Sequence, residues 1–420
     1  MRALFSQHAS GDLVNSRFLL FVSLANRGGT LVSQLAVGAF LSPEVVGIWA
    51  VALGISTIAL FFQASDFSRI PLQAGPDRDL VDATLARWLL VAWLATAVGL
   101  MLTTPHLIGA SYGPLLALLA LCPLRMLANR HMTKLSADGA TTRLGWCTAA
   151  EGLVRTVVLV SAILLGLSGW SFVAVEWCAV VTQLAMARPK LVAQAQPRNR
   201  GWRLPRHIVH QLASTAVVCL LVATEGNLVA ILMSRSFSEA AAGSYFFALR
   251  FANQIIIILY PLMLLESLPR LIRLREDQSA FVQDSKKMML RYWLLAAGMG
   301  ITVAVAGPLA LRLIWGERWE EAARMLQIMG FTVIFRAMFV YAKVQLEALG
   351  AFYSILLLSV VDLGTILALL ILAGVLRWSP ITMVGALGVE SLMILFLANA
   401  IVARRLRAAP AAVGGQSQAV

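Results

Sequence analysis

Residues 354–376 read SILLLSVVDLGTILALLILAGVL, an apolar run interrupted by a single charged residue, Asp362. An α-helix needs about 20 apolar residues to cross the ~30 Å hydrocarbon core of a membrane, and this run is long enough. The rest of the chain is similar, since 59% of its 420 residues are hydrophobic, 13% are charged and the mean hydropathy is +0.80. The composition therefore predicts an integral membrane protein with room for about a dozen spans, and it excludes a soluble enzyme held by one anchor.

Apolar runs separated by charges, glycine or proline predict twelve membrane helices. The spans are expected to be α-helical, because lipid offers no partner to backbone polar groups and the runs are too long for barrel strands. The predicted helices cover residues 18–41, 44–63, 84–103, 107–128, 145–167, 170–187, 209–233, 243–265, 290–314, 324–345, 354–376 and 381–403.

The basic residues between the runs predict the topology. If the N-terminus is cytoplasmic, most of the 34 Lys and Arg residues lie on the cytoplasmic side, as the positive-inside rule requires. We therefore expect both chain ends in the cytoplasm. The longest external loops, residues 233–242 and 315–323, are too short for an external catalytic domain.

A basic stretch with several prolines divides the chain into two halves. It covers residues 189–207 and predicts a cytoplasmic linker between two six-helix bundles, 1–188 and 208–404. Residues 405–420, rich in Ala, Gly, Gln and Ser towards the end, predict a disordered cytoplasmic tail.

Short matches between the halves predict an internal repeat. The pattern Gly-x-aromatic-x-x-Ala-Leu occurs at residues 47–53 and again at residues 243–249, at the starts of the second and eighth runs. Such a parallel repeat is typical of transporters that bind substrate between their halves. The alternative is that glycine and aromatic residues simply favour helix ends at the membrane interface. A second match keeps one spacing in the fourth and tenth runs: Arg125, Leu135, Ala137 and Gly139, then Arg336, Leu346, Ala348 and Gly350.

Five arginines fall within the predicted spans, where exposure to lipid would cost roughly 2.5–3.5 kcal/mol for each. Arg125 lies near the cytoplasmic boundary and is expected to snorkel to the membrane surface. Arg155 is expected to pair with Glu151, four residues before it. Arg250 can either snorkel or face a cavity. The two near mid-span are predicted to face a cavity with a functional role: Arg27 and Arg336.

Five acids also fall within the spans: Glu151, Glu176, Glu225, Asp362 and Glu390. A buried carboxylate can load and release a proton during a transport cycle, so Glu225, Asp362 and Glu390 are predicted coupling residues. Glu225 is expected at a depth similar to that of Arg27, so these two charges could pair across a cavity. Static ion pairs that hold the bundle together explain the same acids, and this alternative stays open.

Amide side chains flank two of the arginines. Asn26 and Gln34 accompany Arg27, and Asn253 and Gln254 follow Arg250. Amides supply the hydrogen bonds that sugars accept and donate, so the sequence predicts a cavity that recognises an anion and polar groups. Ordinary contacts between helices are the alternative.

Motifs for nucleotide hydrolysis and for other catalysis are missing from the sequence. It has no phosphate-binding loop ending in Gly-Lys-Ser/Thr, no Gly-x-Ser-x-Gly and no His-Glu-x-x-His, and its four cysteines lack metal-ligand spacing. We therefore expect no enzymatic activity, cofactor, metal site or nucleic-acid partner. Any active transport would draw on an ion gradient, a substrate gradient or the membrane potential.

Several motifs together resemble polysaccharide flippases of the Wzx type, which handle O-antigen or exopolysaccharide units. This polysaccharide transporter family belongs to the superfamily that also holds multidrug and toxic compound exporters and lipid II flippases. The resemblance covers nearly the whole chain, and its motifs lie at residues 41–49, 243–250, 315–323 and 346–350.

The resemblance implies a fold like that of the multidrug exporters, with two pseudo-symmetric six-helix bundles forming a V around a central cavity. It implies a substrate of undecaprenyl-diphosphate-linked oligosaccharide, and Arg27 and Arg250 resemble cavity arginines that such flippases direct towards the diphosphate. It also implies a bacterial cytoplasmic membrane, coupling to H⁺ or Na⁺, and contact with membrane lipids and the polysaccharide polymerase machinery. A cation or drug antiporter of the same fold and a polysaccharide polymerase or ligase are the alternatives.

Overall fold

A computed structural model describes residues 28–408, except 31, 65–66, 69, 74–77, 104–108, 139, 188–203, 205 and 276. The helices of the described residues are α1 Gly28–Phe40, α2 Pro43–Ala59, α3 Arg78–Thr103, α4 Tyr112–Ala137, α5 Thr141–Leu164, α6 Trp170–Ala187, α7 Arg206–Ser236, α8 Glu239–Ala252, α9 Gln254–Leu262, α10 Leu268–Arg273, α11 Gln278–Trp315, α12 Glu320–Ala348, α13 Phe352–Val375 and α14 Pro380–Ala408.

The described part of the chain is an all-α polytopic membrane protein, as predicted. Nine of its segments are long and apolar enough to cross a membrane, and one of them, Gln278–Ala348, contains both α11 and α12. Two shorter apolar helices, α1 and α2, precede these segments. Each of the twelve predicted runs therefore coincides with helix, although residues 18–27 of the first run lie outside the described residues.

The chain forms two compact units, one ending at Asn227 and the other beginning at Leu228. This boundary falls within α7. Helix α7 begins at Arg206, inside the predicted linker, and α14 continues to Ala408, inside the predicted tail. A helix does not stop where the hydrocarbon ends, because its backbone hydrogen bonds continue in water as well. Most of the predicted linker and tail lies outside the described residues, and the predicted division into bundles stays a prediction.

In the first unit, α2 is held against α6 by an aromatic stack. The rings of Trp49 and Phe172 lie 5.1 Å apart and nearly parallel. The two residues that follow Trp49, Ala50 and Val51, are buried as well. A second apolar cluster packs α2 against α3 and α4: Leu60, Phe62, Val81, Leu85, Leu115 and Leu119.

In the second unit, two of the family-like motifs pack directly against each other. Phe247 of α8 stacks on Trp319 with ring centroids 4.1 Å apart, and the ring of Trp315 lies 5.6 Å from that of Phe247. Gly316 turns the chain between the two tryptophans with a positive φ of 65°, which glycine adopts without strain. The loop before α12 is thus fixed to the second half of α8.

A close contact between α11 and α12 sets the position of α12. A Cβ atom added to Gly330 would lie 2.7 Å from the Cα of Ala304, which is far inside van der Waals distance. Glycine at this position lets the two backbones approach, as small residues commonly do between membrane helices. Arg336 follows less than two turns later on α12.

The aromatic contact at Trp319 yields a stability prediction. Trp319 is fully buried, so Trp319→Ala should lower the free energy of unfolding by about 3–5 kcal/mol through lost packing and a residual cavity. The thermal unfolding midpoint of the purified protein in detergent measures this effect. Leu313→Ala is the matched control because the Leu313 side chain is 86% exposed. Equal midpoints for the two variants would contradict the packing argument.

Candidate functional site

A cluster of buried charges lies where α12, α13 and α14 meet in the second unit. The Nη1 atom of Arg336 donates to both carboxylate oxygens of Asp362, at 2.9 and 2.7 Å. The Nη2 atom donates to Glu390 at 2.7 Å, and Nε donates to the hydroxyl of Ser391 at 2.8 Å. We call these four residues the second-unit cluster.

The second-unit cluster is well shielded from solvent. Asp362 is 0% exposed, Glu390 is 4% exposed, and the side chain of Arg336 is 18% exposed. Each residue comes from a long apolar helix, so the charges meet inside the spans, where burial weakens screening by water. A charge-assisted hydrogen bond in such surroundings is stronger than in water, which keeps the three helices together.

The ionised side chains of the second-unit cluster do not balance. One guanidinium faces two carboxylates, so full ionisation leaves one negative charge in excess. The Oε1 atom of Glu390 is buried and has no hydrogen-bond partner among the described residues. The Glu390 and Asp362 carboxyl groups lie near enough to share a hydrogen bond if one of them is protonated. The arrangement is suited to holding a proton.

The first unit contains a related group of charges, which we call the first-unit cluster. Arg155 of α5 binds Glu151 at 2.9 Å and Glu176 of α6 at 2.6 Å. Arg125 of α4 also pairs with Glu176, and the amide of Gln183 donates to Glu151 at 2.6 Å. Here two guanidinium groups face two carboxylates.

Two sequence predictions concern the first-unit cluster. The expected pair of Arg155 with Glu151 is confirmed. The expected snorkelling of Arg125 is wrong, because its guanidinium binds Glu176 on a neighbouring helix. Hydropathy shows how deep a residue lies but not which partner another helix brings to it. The structure therefore adds Arg125 and Glu176 to the first-unit cluster and Ser391 to the second-unit cluster.

The predicted substrate-binding residues lie in several places. Gln34 of α1 is buried, and neither amide atom has a hydrogen-bond partner among the described residues. Arg250, exposed at the end of α8, lies over the ring of Phe246, 4.7 Å from its centroid. Asn253 lies between α8 and α9 with helical backbone angles, and Gln254 donates from its amide to the backbone oxygen of Arg250 at 3.1 Å. Asn26 and Arg27 lie outside the described residues.

The structure brings together one predicted substrate residue and two predicted coupling residues. Arg336 binds both Asp362 and Glu390, a combination that sequence reasoning did not foresee. The third predicted coupling residue, Glu225, is partly buried on α7 in the first unit.

A model of the family described as polysaccharide biosynthesis protein matches residues 37–324, more than half of the chain. This chain belongs to that family. The match includes α2 with its Trp49 and the loop with Trp315 and Trp319. The predicted membership in a polysaccharide transporter group is thereby supported by an independent comparison.

Solved structures of transporters share the fold. The lipid II flippase MurJ, in an inward closed conformation, has a TM-score of 0.70 at 11% identity, over 92% of this chain and 89% of that chain. An inward-facing multidrug resistance MATE family transporter of the MOP superfamily has a TM-score of 0.69 at 12% identity, over 90% and 94%. The Vibrio cholerae MATE transporter VcmN, in its bent form, has a TM-score of 0.57 at 14% identity, over 94% and 97%. No curated protein sequence matches this chain.

These likenesses establish the fold of the family member. The all-α fold seen in MATE transporters and in MurJ is the one predicted from the resemblance. The solved structures that share it are those of transporters and a flippase.

The second-unit cluster yields a test of its structural role. Arg336→Met leaves two buried carboxylates without their cation and should cost about 3–5 kcal/mol of stability at neutral pH. Acid pH should restore part of this loss, because protonation removes the uncompensated charges. Thermal unfolding in detergent across pH measures both effects.

Lys343→Met is the control on the same helix, since the ammonium group of Lys343 lies over the ring of Phe339 and does not belong to the second-unit cluster. If the thermal unfolding midpoint of Arg336→Met is no lower than that of Lys343→Met, the ion pairs of Arg336 contribute little to the stability of the protein. Adding Asp362→Asn and Glu390→Gln to Arg336→Met should recover stability.

Proposed function

We propose that this chain is a flippase that moves undecaprenyl-diphosphate-linked oligosaccharides from the cytoplasmic to the periplasmic leaflet by alternating access. The observation that carries the proposal is the combination of the polysaccharide biosynthesis family with a transporter fold on one chain. Such a protein would supply repeat units for O-antigen, lipopolysaccharide or exopolysaccharide synthesis, in contact with the polymerase machinery.

Anion recognition is assigned first to Arg27 and Arg250. A diphosphate carries several negative charges, and guanidinium groups bind phosphate oxygens in pairs of charge-assisted hydrogen bonds. The exposure of Arg250 near the end of α8 supports its access to a headgroup. Asn253 and Gln254 beside it, and Asn26 and Gln34 near Arg27, are assigned to the sugars and the headgroup.

Arg336 is assigned a double role. It binds two carboxylates, so it would reach a diphosphate only by exchanging a carboxylate for a phosphate oxygen. That exchange would link substrate binding to the protonation of Asp362 and Glu390. We therefore assign these two acids to ion coupling, together with Glu225 of the first unit, with H⁺ or Na⁺ as the coupling ion.

The membrane potential favours the proposed direction. In a cell with a negative interior, moving two negative charges outward across the whole field gains about 4.6 kcal/mol per 100 mV. Charges carried by the protein during the cycle change this total. Coupling through the acids and driving by the potential can therefore operate together.

The proposed location is the bacterial cytoplasmic membrane, with both termini in the cytoplasm. Contacts between segments that were all assigned to the cytoplasmic side support this topology. Arg130 and Lys134 pair with Asp82 at one end of the first unit, and Arg270 pairs with Asp284 in the second.

A cation or drug antiporter is the second candidate, because MATE transporters share the fold. A cation antiporter should have a carboxylate in its first helix, where this chain has Arg27. The positive charge of Arg27 would repel cationic drugs. A polymerase or ligase has less support, since the described loops are short and the solved structures with this fold are transporters.

A deletion strain tests the flippase assignment. Without the gene, lipid-linked repeat units should accumulate on the cytoplasmic side and surface polysaccharide should be lost, and the wild-type gene should cure both defects. Arg250→Ala, at matched expression, should reduce export at least tenfold, because one charge-assisted contact contributes about 1.5–3 kcal/mol. Lipid extracts and surface polymer blots give the readout.

Arg324→Ala is the matched control, since Arg324 is exposed and pairs with Glu320, four residues before it on the same helix. It should export at the wild-type level. Normal glycan levels in the deletion strain would refute the flippase, and single surface repeats without polymer would indicate a polymerase instead.

Ion coupling is tested with purified protein in vesicles that contain lipid-linked substrate. We expect flipping by the wild type to respond to an imposed pH or Na⁺ gradient. Flipping by Glu390→Gln should lose that response, because an amide cannot bind and release the coupling ion as a carboxylate does. Glu320→Gln, at an exposed site outside the cluster, should respond like the wild type. An unchanged gradient response in Glu390→Gln would remove this acid from coupling.

A further inference from the structure

A cavity between α3 and α4 opens on the side of the first unit, and we call it the lateral slot. It has a volume of about 190 Å³, and residues 62–71 contribute its inner wall. Most of the side chains that line it are apolar: Phe62, Phe67, Leu85, Leu89, Pro123 and Met126. The rim contains Leu90 and Leu127, which are 50% and 41% exposed. The lateral slot therefore has a buried apolar wall and an apolar opening.

Two contacts between α3 and α4 fix the ends of the lateral slot. At one end, the carboxylate of Asp82 accepts a hydrogen bond from Nε of Arg130 at 2.8 Å. At the other end, Nε1 of Trp93 donates to the backbone oxygen of Leu119 at 2.8 Å. This oxygen has lost its usual partner within α4, because Pro123 has no N–H group. The two helices are thus held together on either side of the space between them.

The lateral slot is about as deep as one leaflet of a membrane. Asp82 and Trp93 are 11 residues apart on α3, and Leu119 and Arg130 have the same separation on α4. At 1.5 Å per residue this separation is about 17 Å, against about 15 Å for half of the hydrocarbon core. Asp82 directly precedes the predicted span 84–103, and Trp93 is at its middle. In the proposed topology, the slot therefore extends from the cytoplasmic surface to the middle of the membrane.

The opening of the lateral slot faces hydrocarbon. On α3, every exposed residue from Trp88 to Leu102 is hydrophobic. Polar and ionisable groups within spans usually face a water-filled cavity or the interior of the bundle, so a uniformly hydrophobic face is typical of contact with lipid. A lipid chain can therefore enter the slot from the bilayer between Leu90 and Leu127.

The surface end of the lateral slot is cationic. Arg130 and Lys134 both pair with Asp82, and among the described residues these three side chains carry one net positive charge when ionised. The side chains of the two cations are 31% and 27% exposed, whereas that of Asp82 is 9% exposed. An anion at the membrane surface can therefore reach the cations more easily than it meets the carboxylate.

Hydrogen bonds also fix the inner wall of the lateral slot to α4. The amide of Asn129 donates to the backbone oxygen of Gln63 at 2.7 Å. The hydroxyl groups of Ser68 and Thr133 lie 2.6 Å apart and share a hydrogen bond. The polar end of the slot is thus preorganised, which lowers the entropic cost of binding a ligand.

We propose that the lateral slot binds one acyl chain of an anionic phospholipid from the cytoplasmic leaflet, and that Arg130 and Lys134 bind the lipid phosphate. The phosphodiester of phosphatidylglycerol carries one negative charge, which matches the net charge of the surface end. Basic pockets between spans on the cytoplasmic side commonly bind anionic headgroups.

A lipid of the proposed substrate class fits the lateral slot less well. A diphosphate carries more negative charge than Arg130 and Lys134 balance beside Asp82, and an undecaprenyl chain is longer than one leaflet. The bound phospholipid goes beyond the proposed function, and it does not depend on which substrate the chain moves.

Photolabelling of the full chain in phosphatidylcholine vesicles tests the proposal. The probe is phosphatidylglycerol with a photoreactive group at the middle of one acyl chain, and peptide mass spectrometry locates the label. We expect labelling inside the lateral slot, on Leu89 and Met126. The same probe with a phosphatidylcholine headgroup should label these residues about fivefold less, because one basic charge near the membrane surface favours an anionic lipid by about that factor.

A variant that fills the lateral slot tests the binding of the acyl chain. Ala86 lines the slot, so Ala86→Trp should abolish the labelling of Leu89. Ala95→Trp is the matched control, because Ala95 is exposed on the same helix and does not line the slot. It should label like the wild type. Equal labelling of Leu89 in the two variants would overturn the acyl-chain site.

Lys134→Gln tests the headgroup without filling the lateral slot, and it keeps the test decisive if Ala86→Trp does not fold. It should reduce the preference for phosphatidylglycerol about fivefold. Lys287→Gln, at an exposed lysine of the second unit, should leave the preference unchanged. An unchanged preference in Lys134→Gln, or equal labelling of the wild type by the two probes, would overturn the anionic headgroup.

Competition identifies the source of the lipid. Unlabelled phosphatidylglycerol should displace the probe from the wild type more effectively than undecaprenyl diphosphate or inorganic phosphate. Stronger displacement by undecaprenyl diphosphate would assign the lateral slot to the transported lipid and overturn the proposal. Displacement by inorganic phosphate alone would show that the acyl chain contributes nothing, which also contradicts it.

Discussion

The structure depends on one constraint, which is that an arginine inside a membrane span must find its partners within the protein. Arg336 meets this constraint by binding one acid from α13 and one from α14. Each of these bonds would cost several kcal/mol if one partner were removed, because the remaining charge would stay buried. The three helices are therefore held in one register by charges, while apolar contacts, which lipid can replace, give less specificity.

The same constraint explains why charge balance matters more here than the number of ion pairs. A neutral buried network has no reason to exchange ions, so the first-unit cluster is suited to a structural role. A network with two carboxylates for one guanidinium can exist with and without a further bound cation. A transporter needs such a pair of states, because only a group that binds and releases its ion within the cycle can couple a gradient to movement.

The sequence predicted the parts of the structure that depend on local pattern. Hydropathy placed the helices because each span must be apolar along its whole length, and the pair of Arg155 with Glu151 followed from spacing on one helix. The sequence could not predict that Arg125 binds Glu176 or that Arg336 binds Glu390, since these glutamates come from other helices. The spacing of 26 residues between Arg125 and Glu151 recurs between Arg336 and Asp362, so comparing the two halves indicates that Glu151 and Asp362 belong with these arginines, but it does not identify Glu176 or Glu390.

The contrast between Arg250 and Arg336 separates recognition from coupling. Arg250 lies at an exposed position near the end of α8, and a guanidinium there can change partners with little loss of hydration. Arg336 is buried between two carboxylates, and a phosphate can replace one of them only if the displaced acid takes up a proton. Substrate binding at Arg250 alone would be indifferent to pH, whereas any step that draws on Arg336 must move a proton as well. In the proposed cycle, the depth of the arginine, more than its identity, therefore determines which step of transport is tied to the ion.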